Sequence, residues 1–424
     1  MLRGAIGLAQ SRAPKTSPGK TNLTAQDVCA RPRETSAAGA GATLIILALA
    51  CGGFAIGVGE FAVMGLLPEV AAGFKASVPQ AGYAISAYAA GVVVGAPLIA
   101  IAAARISRRT LLLALMSVFV LGNLASAAAP NLGALIALRF LTGLPHGAYF
   151  GVAALVAASL VPLNRRTQTV GYVMLGLTLA TLIGTPALAF FGEMLSWRLM
   201  FLVDGLIGAL TFTLISIYLP RDKPHAEASV ARELIAFTRP QVLLTLLLAA
   251  AGFGGMFSIF SYIAATATEY AHMPVVMVPV IMVLFGLGMN CGNLLGSRLA
   301  DRSLMGTIGG MLAFNVVVMT VFGLTAHWQV ALCIVTFLLG NGFAAAPAVQ
   351  SRLMDVAREG QTLAAASMHS AFNIANAIGA WLGGRVIAEG YGYPATGYVG
   401  AALSLFGLVV FGALLRLDRA AKAA

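Results

Sequence analysis

Long apolar runs, separated by short polar segments, follow one another along almost the whole sequence. Each has about 20 residues or more, enough for a helix rising about 1.5 Å per residue to cross a hydrocarbon core of roughly 30 Å. Twelve runs predict twelve transmembrane helices, at about 42–67, 79–104, 109–129, 131–158, 168–192, 197–219, 241–268, 274–298, 304–325, 328–351, 362–388 and 393–415. With 59% hydrophobic and only 10% charged residues, the chain is too apolar for a soluble domain. We therefore expect an all-α membrane protein.

The 26 Lys and Arg residues are distributed unevenly between the two sides of this predicted bundle. All but four fall in the N-terminal segment, in the loops after even-numbered helices, or in the C-terminal segment, which lie on one side. By the positive-inside rule, both termini are predicted to be cytoplasmic, in an inner (plasma) membrane. Topology thus explains the net charge of +11, with lipid headgroups rather than nucleic acid as the expected partner.

The longest polar interruption divides the predicted helices into two sets of six. We expect a disordered cytoplasmic tail (1–40, or an over-extended start), an N-terminal six-helix bundle (41–219), a cytoplasmic linker (220–240), a C-terminal six-helix bundle (241–416) and a cytoplasmic tail (417–424). A shift of 197 residues superposes Gly57 on Gly254, Gly91 on Gly288, Gly95 on Gly292 and Gly143 on Gly340. These matches favour two related bundles with a site at their interface.

Two charged residues stand alone inside apolar runs, Glu60 in the first and Arg139 in the fourth. A charge at membrane depth is costly, so such residues usually face a partner or a water-filled path. Counting from the helix ends places Glu60, Arg139 and Asp204 in one layer, roughly 10–12 Å below the outer surface. We expect Glu60 to alternate between protonated and charged states beside the fixed charge of Arg139. The alternative is a permanent ion pair that locks two helices.

Asp204 and His146 complete the candidate proton-coupling set. Asp204 could instead pair with Arg198 or with a helix end. His146 follows Pro145, and histidine titrates near neutrality, as a relay requires. A hydrogen-bonded packing residue beside the proline is an equal alternative.

Aromatic and polar side chains supply a candidate substrate cavity with few charges, which favours neutral or cationic amphiphiles. The set is Tyr83, Tyr88, Tyr149, Phe253, Phe257, Phe260, Tyr262 and Asn373. Aromatic residues at helical spacing are also common in packing. Likewise, His369, Asn373 and Asn376 could face a cavity or join helices to one another.

Three segments carry recognisable motifs: GVGEFAVMGLLPEVA (57–71), RFLTGLPHGAYFG (139–151) and GLTLATLIGTPALAFFGEMLSWRLMF (176–201). Together they resemble the major facilitator superfamily, in its branch of proton-coupled drug and sugar exporters. The third segment is similar to that family's antiporter signature, carried here by Gly176, Gly184, Pro186 and Gly192. The resemblance implies export rather than import, whereas a simple helix-packing face would carry no direction.

The family's cytoplasmic gating motif is incomplete in the first half. The segment AIAAARISRR (100–109) keeps Arg105 and Arg109, but Ala104 stands where the resemblance leads us to expect an aspartate. The second-half copy, SRLADRS (297–303), keeps Asp301 and Arg302. We therefore expect the first-half latch to be weaker or rebuilt.

These observations favour a secondary transporter that exports a small organic molecule, of the drug, sugar or nucleoside class, in exchange for protons. The alternative in the same fold is proton-coupled uptake or facilitated diffusion of a sugar-like solute. The absence of a visible P-loop argues against ATP drive, and the dispersed histidines argue against an intramembrane enzyme. We expect a monomer without cofactor or metal, whose partners are substrate, protons and lipid.

Overall fold

Long helices make up nearly all of the computed structural model, which describes residues 33–76, 78–102, 106–187, 196–222 and 230–423. They are α1 (Arg33–Gly65), α2 (Val78–Ala102), α3 (Arg108–Ala127), α4 (Leu132–Ser159), α5 (Arg166–Leu179), α6 (Trp197–Tyr218), α7 (Pro240–Phe260), α8 (Val278–Arg302), α9 (Leu304–Thr325), α10 (Gln329–Asn341 and Ala345–Ala357), α11 (Gln361–Ala388) and α12 (Ala395–Ala423). Within this described part, eleven helices are long and apolar enough to cross a membrane. The remaining one, α11, has 28 residues but carries the polar side chains His369, Asn373 and Asn376.

Each predicted helix corresponds to an observed one with ends that differ by several residues, and three differences concern the tails and the linker. α1 begins at Arg33, inside the predicted disordered tail, whose residues 1–32 lie outside the described part. α12 continues to Ala423, so the predicted C-terminal tail is helical; there Asp418 accepts hydrogen bonds from Arg352 at 2.6 and 2.5 Å. The predicted linker contains a short helix, Val230–Ile235, which we call the linker helix.

Residues Ala42–Ala424 form one compact unit, which includes α1 from Ala42 onward. In this unit we call α1–α6 the first half and α7–α12 the second half. Both α1 and α7 are followed by a turn and a further short helical piece. After α1 the turn is at Leu66 and the piece is Leu67–Gly73, whereas after α7 the turn is at Ser261 and Tyr262. At the 197-residue shift these interruptions fall within a few residues of each other.

Helix pairs α2–α4 and α8–α10 cross at glycines in equivalent positions. A Cβ added to these glycines would overlap a carbonyl oxygen: Gly91 with Phe140 at 2.2 Å, Gly143 with Tyr88 at 2.3 Å, Gly288 with Phe337 at 2.0 Å, and Gly340 with Phe285 at 2.2 Å. Each glycine and each carbonyl partner has its counterpart 197 residues away. The glycine spacing in the sequence therefore corresponds to one helix crossing built twice, with backbones in direct contact.

The two halves meet along two seams in the described structure. In the α5–α8 seam, Asn293 donates a hydrogen bond to the Gly171 carbonyl at 2.7 Å, and Asn290 donates to that of Thr178 at 2.9 Å. In the α11 seam, α11 packs against α2 and α4, and the Ser370 hydroxyl donates to the Val93 carbonyl at 3.2 Å.

Both seams extend to one end of the bundle, where the loops after even-numbered helices lie. We call it the basic end, because it carries Arg108, Arg109, Arg165, Arg166 and Arg358. There the Arg166 guanidinium of α5 pairs with Asp355 of α10 at 2.7 Å. The halves are thus joined at the basic end.

Candidate functional site

Gly59 in α1 is the point at which the three candidate intramembrane charges meet. Its carbonyl oxygen accepts a hydrogen bond from Arg139 Nη2 at 2.6 Å. Its Cα lies against the Asp204 carboxyl, since a Cβ added here would come within 2.6 Å of Asp204 Oδ2. Glu60 is the next residue in the chain. The structure therefore brings Glu60, Arg139 and Asp204 together from α1, α4 and α6.

Two aromatic rings hold the Arg139 guanidinium in this buried layer. Its central carbon lies 4.2 Å from the centre of the Tyr88 ring and 5.7 Å from that of Phe201, within the range of cation–π attraction. Nη2 donates to Gly59, but Nε and Nη1 find no partner among the described residues. The guanidinium is fixed in position while two nitrogens remain uncommitted.

The carboxyls of Asp204 and Glu60 also have no hydrogen-bond partner in the described structure. Both oxygens of Asp204 are buried without a hydrogen-bond partner in the described structure. Arg198, its alternative partner, donates instead to the Ala127 carbonyl at 2.7 Å. Glu60, 6% exposed, makes no hydrogen bond or ion pair within the described residues. The permanent Glu60–Arg139 ion pair considered above is therefore not formed in this part of the chain.

A row of hydrogen-bonding side chains leads from this layer into the second half. The Tyr88 hydroxyl lies 3.2 Å from His146 Nδ1, and His146 Nε2 lies 3.2 Å from His369 Nδ1 on α11. His369 Nε2 is buried without a partner in the described structure, and its ring stacks on Phe150 with centroids 4.4 Å apart. The sequence offers two isolated mid-helix histidines but nothing that pairs them across the α11 seam.

An aromatic cluster in the second half takes the place that the charged layer has in the first. Phe257, which corresponds to Glu60 at the 197-residue shift, packs edge-on against Phe372 with centroids 5.0 Å apart. Phe253 lies 5.3 Å from Phe372 and 6.1 Å from Phe343. Phe343 and Phe372, which were not predicted from the sequence, belong to this aromatic cluster through their contacts with Phe253 and Phe257.

Other predicted cavity residues have their polar groups already engaged. Tyr149 is buried and donates to the Leu49 carbonyl at 2.9 Å, while Tyr262 donates to the Ala380 carbonyl at 2.6 Å. Asn373 donates to the carbonyl of His369, one turn earlier in α11, at 3.1 Å. Phe260 stacks on Phe285, and Tyr83 is 62% exposed near the start of α2. The contacts of Tyr149, Tyr262 and Phe260 each lie within one half, and their place in a substrate cavity stays a prediction.

The antiporter-like segment packs against α1 through its glycines. A Cβ at Gly176 would lie 2.0 Å from the Ala50 carbonyl oxygen, and one at Gly184 would lie 2.5 Å from Val58. Beyond Leu179 the helix continues as a π-helical segment, Ala180–Gly184, just before Pro186. Proline has no N–H to donate, which is consistent with an irregular turn at this point. Gly192 lies outside the described residues.

At the basic end, Asp301 crosses between the halves. At the end of α8, its carboxylate accepts hydrogen bonds from the backbone N–H groups of Thr167 and Gln168 on α5, at 2.7 and 2.8 Å. The first amides of a helix lack partners within the helix, so an acidic side chain satisfies them and complements the helix dipole. Asp301 therefore fastens the α5–α8 seam.

The predicted gate arginines that the structure describes, Arg109 and Arg302, do not connect the two halves as Asp301 does. Arg109 donates to the Ser216 carbonyl at 2.8 Å, within the first half, and Arg302 is exposed. Arg105 and Ala104 lie outside the described residues. In the part that is described, no group of three or more His, Cys, Asp or Glu side chains is placed to hold a metal ion.

Comparison with known proteins identifies the class of protein to which this chain belongs. The family model of the Major Facilitator Superfamily matches residues 49–368, and the chain belongs to that family. It is 42% identical to the inner membrane transport protein YdhP of Escherichia coli K12 over 370 residues, covering 86% of this chain and 95% of that one. The protein is accordingly a membrane transporter.

Other relatives and solved structures agree with this class. The putative transporter AraJ of Escherichia coli K12 is 31% identical, over 88% of this chain and 95% of its own. A chloramphenicol resistance protein of Streptomyces lividans is 30% identical, over 85% and 92%. The crystal structure of Escherichia coli FucP, a fucose:proton symporter, has a TM-score of 0.72 at 15% identity, over 87% of this chain and 98% of that one. This last likeness confirms the twelve-helix fold.

Proposed function

We propose that this transporter exports a small organic molecule in exchange for protons, and that Glu60 is the group that carries the proton. The observation behind this proposal is that the charged side chains around Gly59 have hydrogen-bonding atoms without partners in the described structure. A fixed guanidinium with two free nitrogens lies beside two carboxyls that have no partner among the described residues. An unpaired buried charge is costly, so each of these groups gains by forming an ion pair. We expect the guanidinium to change its carboxyl partner during transport.

The proposed cycle uses Arg139 as a fixed charge and the carboxyls as its changing partners. When Glu60 is charged, the free Nε and Nη1 of Arg139 can donate to it. When Glu60 takes up a proton, that attraction is lost and the bond to the Gly59 carbonyl remains. Asp204, on the other side of Gly59, is a second acceptor for the same guanidinium. Proton binding thereby changes the contacts between α1, α4 and α6.

His146 is proposed to pass protons along the same path. Neutral imidazole has one donor and one acceptor nitrogen, so the row Tyr88, His146, His369 has two arrangements that differ in the direction of every hydrogen bond. When the Tyr88 oxygen takes up a proton as its own passes to His146, and His369 releases a proton from Nε2 as it accepts one at Nδ1, one net proton crosses the row and every group stays neutral. The row exists only while the α11 seam is closed, which would link this transfer to the conformational cycle.

The proposed substrate class follows from the aromatic cluster and the relatives. Phe253, Phe257, Phe343 and Phe372 present apolar faces, which suit a neutral or cationic amphiphile. Relatives described as a chloramphenicol resistance protein and, at 27% identity in Helicobacter pylori, as a probable sugar efflux transporter support export of a drug-like or sugar-like molecule. A purine nucleoside is the third class to be tested.

Everted membrane vesicles test the proposal. With an inside-acid gradient, the parent protein should load vesicles with at least one of chloramphenicol, arabinose or a purine nucleoside. Glu60→Gln should abolish gradient-driven accumulation of the substrate. Exchange of substrate across the membrane without a proton gradient should be retained. Glu389→Gln is the matched control, because Glu389 pairs with Arg385 on an exposed surface.

Two outcomes would overturn the proposal. Full gradient-driven accumulation by Glu60→Gln would remove Glu60 from proton coupling. Loading of right-side-out vesicles by an inward proton gradient would make the protein an importer.

A further inference from the structure

The contact of Asp301 with the start of α5 has a counterpart at the start of α11. Thr167 and Gln168, the donors to Asp301, are the second and third residues of α5. The second and third residues of α11 are Thr362 and Leu363. Both helices begin at the basic end, and each belongs to a seam between the halves.

At the 197-residue shift, Asp301 corresponds to Ala104, which has no carboxylate to offer. The amides at the start of α11 nevertheless have an acceptor. Glu233 Oε2 accepts the N–H of Leu363 at 2.9 Å, and its carboxyl lies close to Thr362, which lowers the pKa of that carboxyl. Glu233 therefore occupies for α11 the place that Asp301 occupies for α5.

We infer that Glu233, carried by the linker helix, is a gating residue: it supplies the latch carboxylate that the chain lacks at position 104 and holds the α11 seam shut at the basic end. The inference requires that the transporter opens at this end during its cycle. It depends neither on proton coupling nor on the direction of transport.

The surroundings of Glu233 fit a docked latch rather than a surface contact. The residue is only 6% exposed, although it lies in the segment between the halves. Burial raises the pKa of its carboxyl, while the bonds from α11 and the charge of Arg108 on α3 lower it. The carboxyl has thus left water for a place where helix amides and one guanidinium compensate it.

The linker also covers the seam with an apolar side chain. Phe237, in the turn after the linker helix, packs against a small cluster formed by both halves. Its members are Ala96, Ala100 and Ile101 of α2 with Leu363 and Ala366 of α11. Small residues on both sides let the helices approach closely, and Phe237 closes the cluster from the linker. Glu233 and Phe237 thus bind the linker across the α11 seam, to α11 and to α2.

The two latches differ in what must move to open them. Asp301 belongs to α8, so the α5–α8 seam opens only when two long helices separate. Glu233 belongs to a segment of six helical residues, so the carboxylate can leave α11 together with the linker. Opening of the α11 seam is therefore coupled to undocking of the linker helix.

Alkylation of a buried cysteine measures this opening without any substrate. Ser367 of α11 is 5% exposed and its hydroxyl has no partner in the described structure, so Ser367→Cys is a nearly isosteric reporter. It is placed in a background in which Cys29, Cys51, Cys291 and Cys333 are serine. The rate of reaction with N-ethylmaleimide is then measured on purified, detergent-solubilised protein.

Glu233→Ala should raise the alkylation rate about five- to tenfold, the factor that the loss of one helix cap corresponds to. Ala104→Asp in the same background should return the rate to that of the parent. Glu389→Ala, a carboxylate deletion at an exposed site, is the matched control and should leave the rate unchanged. A single cooperative thermal unfolding transition, with a midpoint only slightly below that of the parent, shows that Glu233→Ala is folded.

Two results would overturn the inference. If Glu233→Ala reacts at the parent rate, Glu233 does not hold the seam. If its rate rises but Ala104→Asp does not restore it, Glu233 does not replace a latch at position 104. Because no transport is measured, either result is distinct from a failure of proton-coupled export.

Discussion

The two halves of the transporter share one scaffold and differ in the side chains placed on it. Around Gly59 the first half carries Glu60 and Arg139, whereas the equivalent positions in the second half are Phe257 and Thr336. At the basic end the difference is reversed. There the second half carries Asp301 and the first half has Ala104. The seam at the start of α11 is instead joined by Glu233 from the linker.

This comparison shows which parts of a repeated fold are free to diverge. The helix crossings depend on missing side chains, because a Cβ would overlap a carbonyl oxygen at 2.0–2.3 Å. They are therefore the same in both halves. Side chains that point away from the crossings do not affect the scaffold, so one half can specialise in charge and the other in aromatic surface.

The largest expected effect comes from weakening the charged layer. Arg139→Lys keeps the charge but replaces the planar guanidinium with a single ammonium, which cannot bond Gly59, lie against Tyr88 and keep two nitrogens free. We expect gradient-driven transport to fall at least about a hundredfold, since breaking a buried charged contact costs about 3–5 kcal/mol and each 1.4 kcal/mol corresponds to a factor of about ten. Initial rates in vesicles at matched expression give the measurement.

Arg198→Lys is the control for this change. Arg198 also donates to a backbone carbonyl, that of Ala127, but lies outside the layer. It should keep most of the parent rate. If Arg139→Lys does the same, the guanidinium geometry has no part in coupling.

A smaller and symmetrical effect is expected at the helix crossings. Gly91→Ala and Gly288→Ala should each lower the free energy of unfolding by about 1–3 kcal/mol, because both introduce a Cβ against a carbonyl oxygen. Gly82→Ala in α2 and Gly310→Ala in α9 are controls, since a Cβ there meets nothing within 4 Å. Thermal unfolding midpoints report the change. A clearly unequal loss between the two halves would contradict an equivalent scaffold.

The smallest effect is expected in the aromatic cluster. Phe257→Ala removes an edge-on contact with Phe372, and such aromatic pairs contribute about 0.5–1.5 kcal/mol. We expect KM for the transported compound to rise about three- to tenfold, and on the proposed mechanism the proton-to-substrate ratio should stay unchanged. Phe260→Ala, which removes a stacking contact with Phe285, should leave KM unaltered. A changed ratio in Phe257→Ala would show that the second half also takes part in proton coupling.

Hydropathy alone predicted the helices well, because crossing a bilayer requires long apolar segments whatever surrounds them. Isolated charges likewise identified Glu60, Arg139 and Asp204 as one group, since depth follows from helical rise. The partner of Arg139 could not be predicted, because it is the backbone carbonyl of Gly59, and every residue has such an acceptor. The carbonyl partners of Tyr149 and Tyr262 were hidden for the same reason.

Contacts between the halves were the second feature that could not be predicted from the sequence. His146 and His369 are 223 positions apart, and no local pattern relates them. Glu233 lies in a polar linker where any acidic residue would pass as solvated. What the sequence did contain was the gap at Ala104, which marked where a replacement carboxylate was needed but not which residue provides it.

Carrying a gate contact on the linker has an evolutionary consequence. Residues buried at the helix crossings are constrained by many neighbours, whereas a six-residue helix between two domains can gain, lose or shift an acidic side chain with little effect on either. If Glu233 is a gate contact as inferred, the balance between shut and open forms can change through substitutions in this short segment, without any change at the helix crossings.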